Sequence, residues 1–137
     1  MDYNVWSGTD YLKNTMGFLP TDATVSSDYT FSTIGERSLK ITTTGTKYQE
    51  VNLKNIQGNA SETFVATIDV LNNTGETVEL RLFEIGGGHN TVNISSNESV
   101  QTVSITRTLG TDCTLRAILI LRYPLTVYID NVRLDKR

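Results

Sequence analysis

Beyond residue 37 the chain alternates apolar and polar side chains with a period of two, the pattern of strands with one buried face. Ser38–Thr44 sets Leu39 and Ile41 against Lys40 and Thr42, and Thr44-Gly45-Thr46 predicts a turn into Lys47–Leu53 as a hairpin. Thr63–Leu71 places Phe64, Ala66, Ile68 and Val70 on one face. Asn72-Asn73-Thr74-Gly75 then reads as a turn, with Thr77–Ile85 as the partner strand. In that strand Val78, Leu80 and Leu82 point one way and Glu79, Arg81 and Phe83 the other. Gly86-Gly87-Gly88 breaks the pattern before Thr91–Ser95, and Ser99–Leu109 alternates Val103, Ile105 and Arg107 with Ser104, Thr106 and Thr108.

Leu115–Arg122 is almost continuously apolar, and its isoleucines and the Tyr123-Pro124 stop favour a buried strand over a helix. Arg116 and Arg122 share a face there with Ile118 and Ile120, placed to lay their stems along the strand ends. Leu125–Leu134 closes the series, with Val127, Ile129 and Asn131 on one face and Tyr128, Asp130 and Val132 on the other. Residues 1–37 are broken by Gly8, Gly17, Pro20 and Gly35, so one short strand around Asn4–Trp6 and a long loop-rich stretch are expected. About eight strands and no substantial helix predict an all-β fold, a two-sheet antiparallel β-sandwich or a barrel.

Composition points the same way. The chain carries 21 threonines against four alanines, which suits pleated surfaces better than helices. A length of 137 residues is one domain, residues 1–137, with a single core. A formal net charge of −3 supplies no field for phosphate backbones, so no nucleic-acid partner is expected. One cysteine and one histidine exclude a disulfide framework and the common zinc sites. No apolar run is long enough for membrane insertion, and residues 1–20 lack a signal-peptide pattern.

Three segments carry a resemblance. Gly35-Glu36-Arg37-Ser38-Leu39-Lys40-Ile41, the following Tyr48-Gln49-Glu50-Val51, and Val127-Tyr128-Ile129-Asp130-Asn131-Val132-Arg133-Leu134 are similar to landmarks of jelly-roll carbohydrate-binding modules of the galactose-binding-domain-like type. Those modules include carbohydrate-binding families four, nine and twenty-two and related domains of phage tail and cell-surface proteins. The resemblance implies a jelly roll and a non-catalytic module that binds a polysaccharide or glycan. It further implies an extracellular, cell-surface or virion location, with other domains of a larger parent protein as partners. It also implies a structural calcium ion at Gly8, Asp10, Glu36 and Asp130. Asp130 is the strongest of these four, because a carboxylate inside an apolar strand needs a cation, an arginine such as Arg37 or Arg133, or backbone N–H groups.

A sugar site needs flat rings against C–H faces and planar polar groups for hydroxyls. Tyr48 and Gln49 after the turn, the Glu79, Arg81, Phe83 strip, and His89 on the glycine-rich loop are the candidates. The strip reads equally well as a solvated ion pair with Phe83 at a sheet edge, and His89 as a merely exposed loop residue. Trp6 fits a core position or a platform, and Cys113 fits a small buried apolar residue. No enzyme is expected: Asp69, Glu79 and Glu84 are not paired by the pattern, and no nucleophile elbow accompanies His89. The alternative to sugar binding is a structural or adhesive β-sandwich spacer that keeps the fold without the site.

Overall fold

A computed structural model describes the backbone of Ala23–Asp28 together with residues 38–44 and 49–137. Among these residues there are nine strands and no helix: β1 (Ala23–Asp28), β2 (Ser38–Thr43), β3 (Gln49–Gly58), β4 (Thr63–Leu71), β5 (Val78–Glu84), β6 (His89–Ile94), β7 (Gln101–Thr108), β8 (Cys113–Leu121) and β9 (Leu125–Lys136). They form two antiparallel sheets, a five-stranded one ordered β1-β2-β9-β4-β7 and a four-stranded one ordered β3-β8-β5-β6. The all-β sandwich read from the alternation is what the chain adopts. The strand expected at Asn4–Trp6 lies outside the described residues, whereas β1 occupies part of the stretch expected to be loop.

The alternation is visible in burial. Phe64, Ala66, Ile68 and Val70 of β4 face Val78, Leu80 and Leu82 of β5 and Leu115, Ala117, Leu119 and Leu121 of β8 across one continuous apolar core. Leu39 pairs with Ile129 and Ile41 with Val127, so β2 and β9 lie side by side in the five-stranded sheet. The threonines earn their place on its outer surface, where Thr63–Thr108, Thr67–Ser104 and Thr42–Thr126 hydrogen-bond across strands at 2.7, 2.9 and 3.2 Å.

Both expected hairpins are corrected. β2 and β3 lie in different sheets, as do β4 and β5. In a sandwich, successive strands that each bury one face satisfy it equally well from opposite layers, so a short polar turn does not imply pairing. Asn72 holds the β4-to-β5 crossing: it is fully buried, donates to the carbonyls of Glu76 (2.8 Å) and Ile94 (3.1 Å), and accepts the Thr74 hydroxyl at 2.6 Å.

The face assignment in β9 is corrected as well. Register slips between Thr67 and Asp69, where Thr67 pairs with Arg133 and Asp69 with Asp130. One extra residue on β9 makes a β-bulge, with Asn131 at φ 50°, a left-handed conformation that asparagine tolerates. The bulge turns Val132 into the core beside Ile129, when a uniform alternation would have put the two on opposite faces.

Candidate functional site

The outer face of the four-stranded sheet is built row by row from the register. Glu50 of β3, Ile120 of β8, Glu79 of β5 and Asn93 of β6 form one row; Asn52, Ile118, Arg81 and Thr91 the next. Asn55, Arg116, Phe83 and His89 form a third, and Gln57 and Thr114 continue beyond it. These residues share a face because a strand sends alternate side chains to opposite sides. The core-facing residues of β5 and β8 lie between them in sequence.

The third row crosses all four strands, about 14 Å from edge to edge at the usual strand spacing. It offers an amide, a guanidinium, a phenyl ring and an imidazole in order. Asn55 and His89 are exposed and Arg116 and Phe83 half-buried. The Phe83 and His89 rings lie 6.4 Å apart, tilted by 37°. Ile85, 42% exposed, stands just past Phe83, its N–H bonded to the Thr114 carbonyl at 3.0 Å. Gln57 donates to the Thr114 hydroxyl at 2.7 Å, which orients both on this face. An apolar wall of Phe83 and Ile85 beside planar polar groups is the composition expected of a small polar-ligand site.

The rest of the face is differently made. Ile118, Ile120 and Asn52 are buried, so its middle is closed to solvent. On one side of that middle, Arg122 binds Glu79 through Nη2 (2.9 Å) and Nε (3.0 Å). Arg81 places its own Nη2 3.9 Å from the same carboxylate and donates Nε to the Thr91 hydroxyl at 3.0 Å.

Of the residues expected at a sugar site, the fold therefore brings Glu79, Arg81, Phe83 and His89 to one face. It does not bring Gln49: that residue pairs with Leu121, in the core-facing row, and is buried. Tyr48 lies outside the described residues. Asn55, Gln57 and Arg116 were not picked out by sequence reasoning as ligand groups, although the alternation of β8 already put Arg116 on the face away from Leu115 and Leu119.

A second polar cluster sits on the outer face of the five-stranded sheet. Asp130 is fully buried and pairs in register with Asp69. Asp130 Oδ1 accepts the Asn131 N–H at 2.8 Å, and Asp69 accepts the Thr102 hydroxyl at 2.8 Å and the Asn131 side-chain amide at 3.4 Å. Ser38, beside Asp130 on β2, is fully buried with no hydrogen-bond partner for its hydroxyl. Among the described residues no three acidic, cysteine or histidine side chains are grouped for a metal; Gly8, Asp10 and Glu36 lie outside them.

Glu84 takes the core side of β5 at the rim of the sandwich and is the acceptor for groups from both sheets. Arg107 Nε of β7 binds its Oε2, while Oε1 accepts the Gly110 N–H at 3.1 Å and the Cys113 thiol at 3.7 Å. Arg107 also donates to Asn90 Oδ1 at 2.8 Å. Burial alone would raise the Glu84 pKa, but the Arg107 ion pair and the Gly110 and Cys113 hydrogen bonds outweigh it and hold the carboxyl below its ordinary value. Burial, with the Glu84 charge beside it, pushes the Cys113 pKa up and favours the protonated thiol, and Cys113 is half-buried. The triple glycine belongs to this clasp. A Cβ at Gly88 would stand 2.9 Å from Arg107 Nη2, and one at Gly87 3.2 Å from Glu84 Cβ.

No family model and no curated protein sequence matches the chain. Solved structures do. A module titled "Family 16 Carbohydrate Binding Module-2" superposes with a TM-score of 0.64 at 14% identity over 97% of this chain and 99% of that one. A carbohydrate-binding module of Cellvibrio mixtus lichenase 5A, solved with cellotriose, gives 0.57 at 12% identity over 90% and 95%. The enzymatically active domain of bacteriophage CBA120 tailspike protein 4 gives 0.59 at 11%, over 85% of this chain and 20% of that one. At such identities the likeness is one of fold, and the fold of this chain is the jelly-roll β-sandwich of carbohydrate-binding modules.

Proposed function

We propose that this protein is a non-catalytic carbohydrate-binding module that takes a polysaccharide or glycan on the outer face of its four-stranded sheet and so anchors a larger extracellular or virion protein. The observation that carries the reading is the row Asn55–Arg116–Phe83–His89, with Ile85 and Gln57 beside it, on a sandwich whose structural neighbours include carbohydrate-binding modules. A glycosidase needs two carboxylates about 5–9.5 Å apart flanking one bond. Here Glu79 is tied to Arg122 on the outer face, Glu84 to Arg107 on the core side, and Asp69 belongs to the other sheet.

Affinity electrophoresis through polysaccharide gels, with a glycan array, tests the proposal. The native protein is expected to be retarded by at least one polysaccharide, and Phe83→Ala to weaken that binding about tenfold, the worth of one lost ring contact. A native protein that no glycan retards moves the function to the second reading, a structural or adhesive spacer in a cell-surface or phage tail protein. One observation favours that reading: the closure of the same face at Ile118, Ile120 and Asn52.

The proposed calcium ion fits what is described of its surroundings. Asp130, Asp69 and the unpartnered Ser38 hydroxyl are hard oxygen donors of the kind calcium takes, with six to eight oxygens needed in all. Asp130 would be the central ligand, joined by Asp10, Glu36 and the Gly8 carbonyl, and the ion would act by tying strand ends together.

A further inference from the structure

We infer that Arg107 and Asn90 are positioning residues for the glycan row: Arg107, reaching over from the five-stranded sheet, holds the end of the β5–β6 hairpin and so sets the Phe83 and His89 rings. The inference rests on the carbohydrate-binding reading and adds to it the residues that shape the site from behind. Phe83 and His89 form the last pair of the β5–β6 ladder, next to the turn that contains Gly86, Gly87 and Gly88. Glycine has the widest backbone freedom of any residue, and the end of a ladder is where strands open first. Inside the turn the Glu84 N–H donates to the Gly88 carbonyl and the Gly87 N–H to the Glu84 carbonyl, both at 2.9 Å.

Arg107 adds an anchor from outside the hairpin. Its Nε binds Glu84, the residue after Phe83, and its Nη1 donates at 2.8 Å to Oδ1 of Asn90, the residue after His89. Strand alternation sends Glu84 and Asn90 to the face opposite the two rings, with Asn90 in register with core-facing Leu82. One guanidinium thus grips both strands from behind, each at the position next to a ring. Its planar fork holds two acceptors in fixed directions, which a lysine ammonium on a flexible stem does not reproduce. Glycine at position 88 leaves room for this crossing, since a Cβ there would stand 2.9 Å from Arg107 Nη2. Rings already set when a glycan arrives lose less freedom on binding it, so release of the grip weakens binding without removing any group that touches sugar.

The test combines affinity electrophoresis of the intact protein through hydroxyethylcellulose, xylan and galactan gels with NMR of its ring protons. Asn90→Ala, an exposed change on the far side of the sheet from the row, should weaken binding about two- to tenfold, the worth of one side chain that must be ordered on binding. Arg107→Lys, which keeps a cation beside Glu84 but gives up the fork, should weaken it as much. Asn90→Asp keeps an acceptor for Arg107 and should restore native binding. Asn72→Ala, at the opposite end of β5, lowers stability without loosening the grip and should bind as the native protein does. Without any glycan, the Phe83–His89 ring contacts of the native protein should weaken in Asn90→Ala and return in Asn90→Asp. Should Arg107→Lys not fold, the two Asn90 variants carry the test. Native affinity in Asn90→Ala, with binding lost in Phe83→Ala, overturns the positioning role and leaves the carbohydrate reading standing. So does an affinity that follows melting temperature through all the variants, Asn72→Ala included, and so do ring contacts that Asn90→Ala leaves intact. A native protein retarded by none of the three gels overturns the inference, and failure across the broader array overturns the carbohydrate reading too.

Discussion

The Glu84–Arg107 clasp offers the sharpest test of how the two sheets are held together. Glu84 lies on β5 and Arg107 on β7, strands of opposite sheets, and Glu84 is only 3% exposed while the Arg107 side chain is 20% exposed. Removing one member of a fully buried pair costs about 3–5 kcal/mol, because the other charge is left without compensation. Here water reaches the arginine at the rim, which lowers the cost. The Glu84→Gln amide can still accept from Gly110, so the expected loss is about 2–3 kcal/mol. For a chain of this size each kcal/mol moves the melting temperature by about 3–4 °C, so Glu84→Gln should melt about 6–12 °C lower.

The pH dependence has a definite sign. A carboxyl whose folded pKa lies below its unfolded value stabilises the fold above about pH 4.3, and that contribution disappears as pH falls through the folded pKa. The native protein should thus lose stability on acidification more steeply than Glu84→Gln, and the two melting curves should converge in strong acid. Urea unfolding at neutral and acid pH measures both quantities. A neutral-pH difference below about 0.5 kcal/mol, the size of an exposed pair, would refute the reasoning. So would parallel losses with pH in the two proteins.

Two other substitutions probe packing, and one chelation experiment probes the proposed ion. Gly58→Ala should cost about 1–3 kcal/mol in urea unfolding, because its methyl would lie 2.5 Å from Leu109 Cδ1 and 2.7 Å from Phe64 Cε2 inside the core; an unchanged midpoint would show that those two side chains move freely aside. Asn72→Ala should cost about 2 kcal/mol or more, since it leaves the Ile94 and Glu76 carbonyls without their shared donor, and a loss near that of a surface alanine would remove Asn72 from its role at the crossing. EDTA should lower the melting temperature of the native protein, calcium should restore it, and Asp130→Asn should abolish the response; a melting curve indifferent to chelator eliminates the ion.

What the sequence could convey was side, and what it could not was neighbour. Phe64 to Val70, Val78 to Leu82 and the face shared by Arg116, Ile118 and Ile120 were legible because alternation depends only on a strand's own residues. Gln49 was legible too, for it has the parity of Val51 and Leu53, and placing it at the site overlooked that parity. Pairing was hidden. Nothing local distinguishes a turn that folds a strand onto its neighbour from one that carries it to the opposite sheet, so β2 to β3 and β4 to β5 looked like hairpins. The one hint of the bulge was an asparagine at position 131, a residue type that accepts positive φ, and without it Val132 falls on the wrong face and Asp69 has no reason to meet Asp130.

The same distinction governs the candidate site. Asn55, Arg116, Phe83 and His89 come from four strands, two of them consecutive, and each is outward-facing in its own sequence. Only the register makes them a row. Slipping β8 against β5 by two residues would keep every side chain on its present face yet set Phe83 opposite Ile118 or Thr114 in place of Arg116. The core rows fix that register, since Leu80 with Leu119 and Leu82 with Ala117 must fill the space beneath β4 at native density. An apolar interior thus decides which polar groups meet on the far side of the sheet. A core change that shifted β8 would therefore disperse the site without touching any of its residues.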